Sequence, residues 1–281
     1  MNLGDLEFHI LSDGPFFLDG GAMFGVIPRT MWEKKAAPDS RNRIRLAMNS
    51  VLIRTAGQWV LIETGAGDKL DAKRRDIFGI GDGPELRLPQ QLAARGLRPE
   101  DISLVINTHL HFDHCGGNTR FEGGRAVPVF PNARYVVQRG ELDWARNPSE
   151  RDRGSYIPEN FEPISEAGKW QLLDGDTEIL PGIELIVVPG HNRDMQCVRL
   201  TGGGKTAFLF VDLVPTTAHL PLHWIMSYDL YPMLTLENKR RWIARAARER
   251  WLCLFSHDEK VPAAYVGEVD GKYEFDPVVV E

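Results

Sequence analysis

Four residues able to hold a metal ion fall within six positions of a 281-residue chain, in the segment Thr108-His109-Leu110-His111-Phe112-Asp113-His114-Cys115-Gly116-Gly117. The segment directly follows the apolar run 104–107, so it reads as a loop leaving the end of a strand. Alternation in its extended start puts His109 and His111 on one side, and the turn that follows brings Asp113 and His114 round to another. Neutral imidazoles with a carboxylate suit Zn²⁺ or a similar borderline divalent ion. Burying three histidines and an aspartate so densely without a cation is costly, because each polar group then needs a partner of its own.

Four ligands are too few for two ions and badly arranged for one, so others must come from elsewhere. His191 follows Val187-Val188-Pro189-Gly190, and His257 follows Leu252-Cys253-Leu254-Phe255-Ser256. Asp212 ends the run Phe208-Leu209-Phe210-Val211, where a carboxylate is out of place unless bound. Three isolated ligand types at three strand ends, added to the cluster, make a strong signal for a metal centre.

The elements that must position these groups are legible in part. Strands are expected over 6–11, closing at Ser12-Asp13-Gly14-Pro15, and over 44–54 and 58–63 as a hairpin about Ala56-Gly57. Further strands are expected over 104–107, 135–138, 178–180, 183–188, 197–200, 207–211 and 251–255, with Gly202-Gly203-Gly204 as a hairpin turn. Helices are expected over 86–95, stopped by Gly96, over 141–146 and over 235–249. Residues 147–168 read as a polar surface excursion, and 15–40 as an irregular apolar loop. That loop offers Phe16, Met23, Phe24 and Trp32 as the wall of a pocket, as a dimer contact, as both, or as ordinary core. Sequential strands with interspersed helices in both halves predict an α/β (α+β) chain: two mixed sheets packed face to face, helices on the outer faces, one domain over 1–281.

Composition narrows the class. Hydrophobic residues at 43% and charged residues at 26% are globular values, and a net charge of −6 argues against nucleic acid as a partner. The basic run Lys239-Arg240-Arg241 reads as the solvated face of a helix. Three widely spaced cysteines (Cys115, Cys197, Cys253) form no paired framework and suit free thiols in a reducing compartment, with Cys115 buried and unreactive. Residues 1–14 lack the pattern of a secretory leader, and no run approaches 18 apolar residues, so a cytoplasmic protein off the membrane is expected.

The run His109-x-His111-x-Asp113-His114, followed in order by His191, Asp212 and His257, resembles the metallo-β-lactamase superfamily, and Glu63-Thr64-Gly65 matches that family's Asp-Thr-Gly loop. Two stretches, 19–28 and Tyr228-Asp229-Leu230-Tyr231-Pro232, together with Phe130-Pro131-Asn132-Ala133 and Trp144, are similar to the YtnP-type lactonases, which open N-acyl-homoserine lactones and quench quorum signals. The resemblance implies an αββα sandwich and two divalent ions, zinc first, with Mn, Fe or Co also suited. His109, His111 and His191 would hold one ion, Asp113, His114 and His257 the other, and Asp212 would bridge them. It further implies attack of a metal-bridging hydroxide on the ester carbonyl, with Asp113 carrying the proton to the leaving alkoxide, so Asp113 and Asp212 count as catalytic. The partner implied is a small lactone or ester, and the apolar loop over 15–40 leans towards a homodimer. His111 departs from the iron-dependent flavodiiron branch, which has Glu there, and the 24 residues after His257 leave no room for the helical domain of glyoxalase II. The same scaffold would also serve a phosphotriester or aryl-ester hydrolase.

Two departures mark the substrate side. Well-known acyl-homoserine lactonases carry Tyr three residues after the bridging Asp, where this chain has Pro215. Tyr228, Tyr231, His219 and His223 lie downstream and within reach, and His223 and Tyr228 join the expected pocket. Asp194 stands where relatives have a supporting His, which would alter how His191 is oriented.

Overall fold

The computed structural model describes residues 1–81 and 87–279, so the expected helix start at Leu86 lies outside the described residues. Two seven-stranded sheets face each other. The first holds β1 (Asn2–Leu3), β2 (Leu6–Asp19), β3 (Arg43–Thr55), β4 (Gln58–Ile62) and β5 (Ile102–Ile106). A small outlying hairpin, β6 (Thr119–Glu122) and β7 (Arg125–Pro128), interrupts the chain before β8 (Arg134–Gln138) and β9 (Trp170–Leu173) complete the sheet in the order β1-β2-β3-β4-β5-β8-β9. The second runs in sequence order through β10 (Thr177–Leu180), β11 (Ile183–Val187), β12 (Gln196–Gly202), β13 (Lys205–Leu209), β14 (Leu252–Leu254), β15 (Ala263–Val269) and β16 (Lys272–Pro277). Both are mixed: β4, β5, β8 and β9 run parallel, as do β13 and β14, and the other neighbours are antiparallel. The helices are α1 (Gly20–Phe24), α2 (Arg29–Trp32), α3 (Ala72–Phe78), α4 (Leu88–Ala94), α5 (Phe112–Cys115), α6 (Arg139–Arg146), α7 (Glu162–Glu166) and α8 (Pro232–Glu249).

The layers follow from the two-residue period of the strands. Val51, Ile53, Val60, Ile62, Leu104 and Ile106 enter the core between the sheets, against Leu185, Val198, Leu200 and Leu209 of the second sheet. The alternate positions Leu52, Leu61 and Val105 face outward, where Leu88 and Leu92 of α4 and Ile164 of α7 cover them. On the far side α8 lays Trp242, Ile243 and Ala246 on the second sheet, with Trp242 stacked on Phe208 at 5.1 Å. The expected helix–sheet–sheet–helix order is therefore present.

Several local expectations need correction. The chain does not turn at Ser12-Asp13-Gly14-Pro15. Its register against β3 shifts between Ser12 and Pro15, and pairing resumes as far as Asp19 opposite Arg43. Gly14, at φ +90°, takes up the extra residue of this bulge, while the buried Asp13 carboxylate accepts from the Arg87 guanidinium and from the backbone N–H of Gly67 and Leu88. Of residues 15–40, 15–19 extend β2 and 20–24 and 29–32 are the short helices α1 and α2, while 33–40 are irregular as expected; Phe16, Phe24 and Trp32 are interior and Phe17 is half-buried. In the basic run, Lys239 is wholly buried while Arg240 and Arg241 face solvent. The stretch 147–168 is more than surface, since it buries Tyr156, Phe161 and Ile164. The Gly203-Gly204 turn does form a two-residue hairpin, with φ +55° and +73° at its centre, as the primed turns require.

Candidate metal centre and its cavity

The seven residues singled out for chemistry converge at one rim of the sandwich. His109 and His111 lie in the segment leaving β5, and Asp113 and His114 lie on α5, the single turn that continues it. From the second sheet, His191 follows β11, Asp212 sits on a 3₁₀ turn after β13, and His257 follows β14. Their ligand atoms form close groups: His109, His111 and His191; Asp113, His114 and His257; and, linking them, His109, His114 and Asp212, each group within 4.8 Å. Asp212 lies between, with Oδ2 3.2 Å from His191 Nε2 and Oδ1 3.0 Å from His257 Nε2. One carboxylate thus turns an oxygen to each trio.

The donor set fits divalent ions on its own terms. His257 Nδ1 faces the Ala47 carbonyl at 2.8 Å and His114 Nδ1 faces Glu63 Oε2 at 2.7 Å, so both Nδ1 atoms donate outward. That leaves the two Nε2 atoms as lone pairs 3.1 Å apart, an arrangement a shared cation relieves. His109 Nε2 and Asp212 Oδ1 are buried and meet no hydrogen-bond partner among the described residues. The field calls for positive charge. Burial opposes protonation of His114, yet Asp113, Asp212 and Glu63 together hold its pKa well above the usual imidazole range. His109, by contrast, is pushed well below that range by burial and then by the neighbouring imidazoles.

A surrounding shell orients these groups. Glu63 also accepts from the Thr108 N–H at 2.7 Å. Glu141 accepts from the Leu110 N–H at 2.8 Å and from the Tyr156 hydroxyl at 3.2 Å, and its carboxyl is pushed up to about 7 by burial. His191 Nδ1 meets Asp229 Oδ1 at 3.0 Å. Asp194, expected to bear on His191, lies instead against Gly140. Two non-glycine residues here have left-handed backbones, Glu63 at φ +65° and Val211 at φ +50°. For a β-branched valine this is costly, and it turns the chain out of β13 so that Asp212 points inward. Cys115 is buried and its thiol pushed well up by that burial, consistent with an inert side chain.

The centre forms the floor of a cavity of about 370 Å³. Its lining combines apolar Leu18, Met23, Phe78, Phe112 and Met226 with polar Arg151, Ser155 and Tyr228. Of the expected pocket residues, Met23 and Tyr228 line this cavity. Phe24 and Trp32 do not: they stack 5.4 Å apart inside a packed cluster, Phe24 lying also 4.7 Å over His219. Phe16 is equally buried and supports the His257 ring from 5.2 Å. His223 is exposed beside Trp224, outside the lining. His219 is structural, with its Nε2 donating to the Met23 carbonyl, and Pro215 contributes its carbonyl, which accepts the His257 N–H. Sequence reasoning missed Glu63, Glu141 and Asp229 as supports and Leu18, Phe78 and Arg151 as lining. Two of them carried a signal: Glu63, in the quoted Glu63-Thr64-Gly65 match, and Asp229, an acid in the quoted Tyr-Asp-Leu-Tyr-Pro run.

The sequence profile of the metallo-beta-lactamase superfamily matches residues 44–259, a span that contains all seven convergent residues. The chain belongs to the metallo-beta-lactamase superfamily. It is similar to a probable metal-dependent hydrolase from Staphylococcus aureus, at 34% identity and TM-score 0.89 over all of both chains. An N-acyl homoserine lactonase of a Bacillus species is 35% identical over 175 residues, and one of Bacillus thuringiensis is 28% identical over the same length. Each match covers 62% of this chain and 63% of the relative, so less than two thirds of these lactonases is spanned. A dizinc quorum-quenching lactonase in complex with the product N-hexanoyl-L-homoserine shares the fold at TM-score 0.82 and 20% identity, over 100% of this chain and 97% of its own.

Proposed function

We propose that this protein is a dinuclear metal-dependent hydrolase that opens N-acyl-homoserine lactones. The observation that carries the reading is the pair of ligand trios, with Asp212 between them, opening onto a cavity lined by both apolar and polar side chains. His109, His111 and His191 would hold one ion, Asp113, His114 and His257 the other, with Asp212 shared. The imidazole-rich set favours zinc. When bound, such ions supply Lewis acidity toward a carbonyl oxygen and make a coordinated water acidic near neutral pH.

The chain's own groups would do the rest. Asp113 lines the cavity beside His114 and His257, where its carboxylate can hold a proton and release it to the alkoxide oxygen of the opening ring. The Tyr228 phenol, protonated at neutral pH and with its pKa pushed up to about 12 by partial burial, would donate to a substrate carbonyl. Leu18, Met23, Phe78, Phe112 and Met226 would take the acyl chain, each buried methylene contributing about 0.8 kcal/mol. Both sheets build one core and one centre, which supports a single domain over 1–281. A homodimer belongs to this reading, and three buried free thiols support a reducing, cytoplasmic setting.

The test is proton release on addition of N-acyl-homoserine lactones of graded chain length, before and after chelation and after restoring zinc. Chelator-sensitive ring opening is the expected result. Metal-replete protein that ignores these lactones but cleaves phosphotriesters or aryl esters would replace this reading with the alternative on the same scaffold.

A further inference from the structure

The strap between Trp224 and Pro232 does two things at neighbouring positions. Met226, Ser227 and Tyr228 line the cavity. Asp229, the next residue, is buried and sets Oδ1 3.0 Å from His191 Nδ1. Backbone pairing fixes the phase between strap and ligand loop, because the Leu230 N–H donates to the His191 carbonyl and the Tyr231 N–H to that of Gly190, each at 2.9 Å. The strap is itself pinned. Ser227 N–H donates to the Ala22 carbonyl at 2.8 Å, Arg151 donates to the Ser227 carbonyl, and the buried Lys239 ammonium donates to the carbonyls of Pro221 and Trp224. Gly25, at φ +58°, lies beneath it, and a Cβ there would meet the Ile225 carbonyl oxygen at 2.4 Å.

We propose that Asp229 is the positioning residue of His191. By accepting the Nδ1 proton, Asp229 fixes the tautomer in which Nε2 is a lone pair. It also holds the ring where Nε2 faces Asp212 Oδ2 at 3.2 Å and His111 Nδ1 at 3.0 Å. Here the partner of the buried carboxylate is a ligand-type ring, and the strap's main chain runs beside that ring's own loop. The assignment goes beyond the lactonase reading, since it concerns the cation site whatever the substrate.

Zinc binding by Asp229→Ala, Asp229→Asn and Tyr228→Phe proteins, measured by competition against a chromophoric chelator, tests the proposal. The expected result is a 10- to 100-fold loss of affinity at one of two zinc sites in Asp229→Ala, with the other unchanged. Asp229→Asn, which keeps an acceptor oxygen, should fall between, and Tyr228→Phe should bind both ions like the parent. Melting in excess chelator, where all four proteins should coincide within a few degrees, separates loss of the ligand from loss of the fold. Wild-type affinity at both sites in Asp229→Ala would overturn the proposal, as would equal loss of both ions in every variant including Tyr228→Phe. None of these readouts uses lactone turnover, so inactivity toward lactones would overturn the proposed function alone.

Discussion

His219 should govern part of the acid stability of the fold. Its imidazole is buried against the Phe24 ring, with Nε2 donating to the Met23 carbonyl at 2.9 Å and Nδ1 therefore accepting from the Thr216 hydroxyl at 2.8 Å. Burial drives its pKa from 6.5 down to about 3, against the smaller upward pull of the Met23 carbonyl. Between those values the unfolded chain binds a proton that the folded chain refuses, so stability falls as pH falls from 6.5 toward 3. The slope reaches about 1.4 kcal/mol per pH unit, and the whole window sums to a ceiling of about 5 kcal/mol. Replacement by Gln removes the titration but also the double hydrogen bond, a loss of about 1–3 kcal/mol at neutral pH. Urea unfolding of both proteins in the metal-replete state should therefore show His219→Gln weaker at pH 7, with the gap shrinking by about 3 kcal/mol by pH 4.5 and tending to reverse. Protonation of the metal-centre histidines is common to both, and Asp212 and His257 act on His219 less than burial, the Met23 carbonyl and Lys239 do, so it largely cancels in the difference. A gap constant to about 0.5 kcal/mol across that range would show that His219 is not held neutral by its surroundings.

Three further outcomes are expected. Phe24→Ala removes a ring packed on Trp32, His219 and Trp224, and should cost about 3–5 kcal/mol in urea unfolding while leaving metal content unchanged. Gly65→Ala places a Cβ 2.1 Å from Asp13 Cβ at a residue with φ +69°, so its thermal midpoint should fall by several degrees or the protein should fail to accumulate. Glu63→Ala leaves His114 Nδ1 without its acceptor, and chelator competition should show metal affinity lowered about 10- to 100-fold.

The ligand set was legible because its chemistry is scarce. Histidines and an aspartate have few reasons to end buried strands, so His191, Asp212 and His257 stood out at separations of tens of residues. The sheet layers were legible for a similar local reason, the alternation in 51–53, 60–62 and 104–106. What could not be read depends on distant partners. Gly14-Pro15 serves a turn or a bulge equally well, and the choice is made by Asp13 meeting Arg87, which follows it by 74 positions. Lys239 sits in a basic run that looks solvated, and only the carbonyls of Pro221 and Trp224 explain its burial. Phe24 and Trp32 share the composition of a pocket wall, yet they stack on each other, and Leu18 and Phe78 take the wall instead.

The ends of the two sheets carry a consequence for behaviour in concentrated solution. The first sheet closes on the two-residue β1 and the four-residue β9, and the second begins at β10, whose pairing slips between Glu178 and Leu180. Its other border, β16, alternates Lys272, Glu274 and Asp276 along its length and stops at Pro277. A strand from another molecule therefore finds a border too brief, too irregular or too charged to extend. Protection against fibrous association is written into these four borders, and it would survive a change of net charge made anywhere else on the surface.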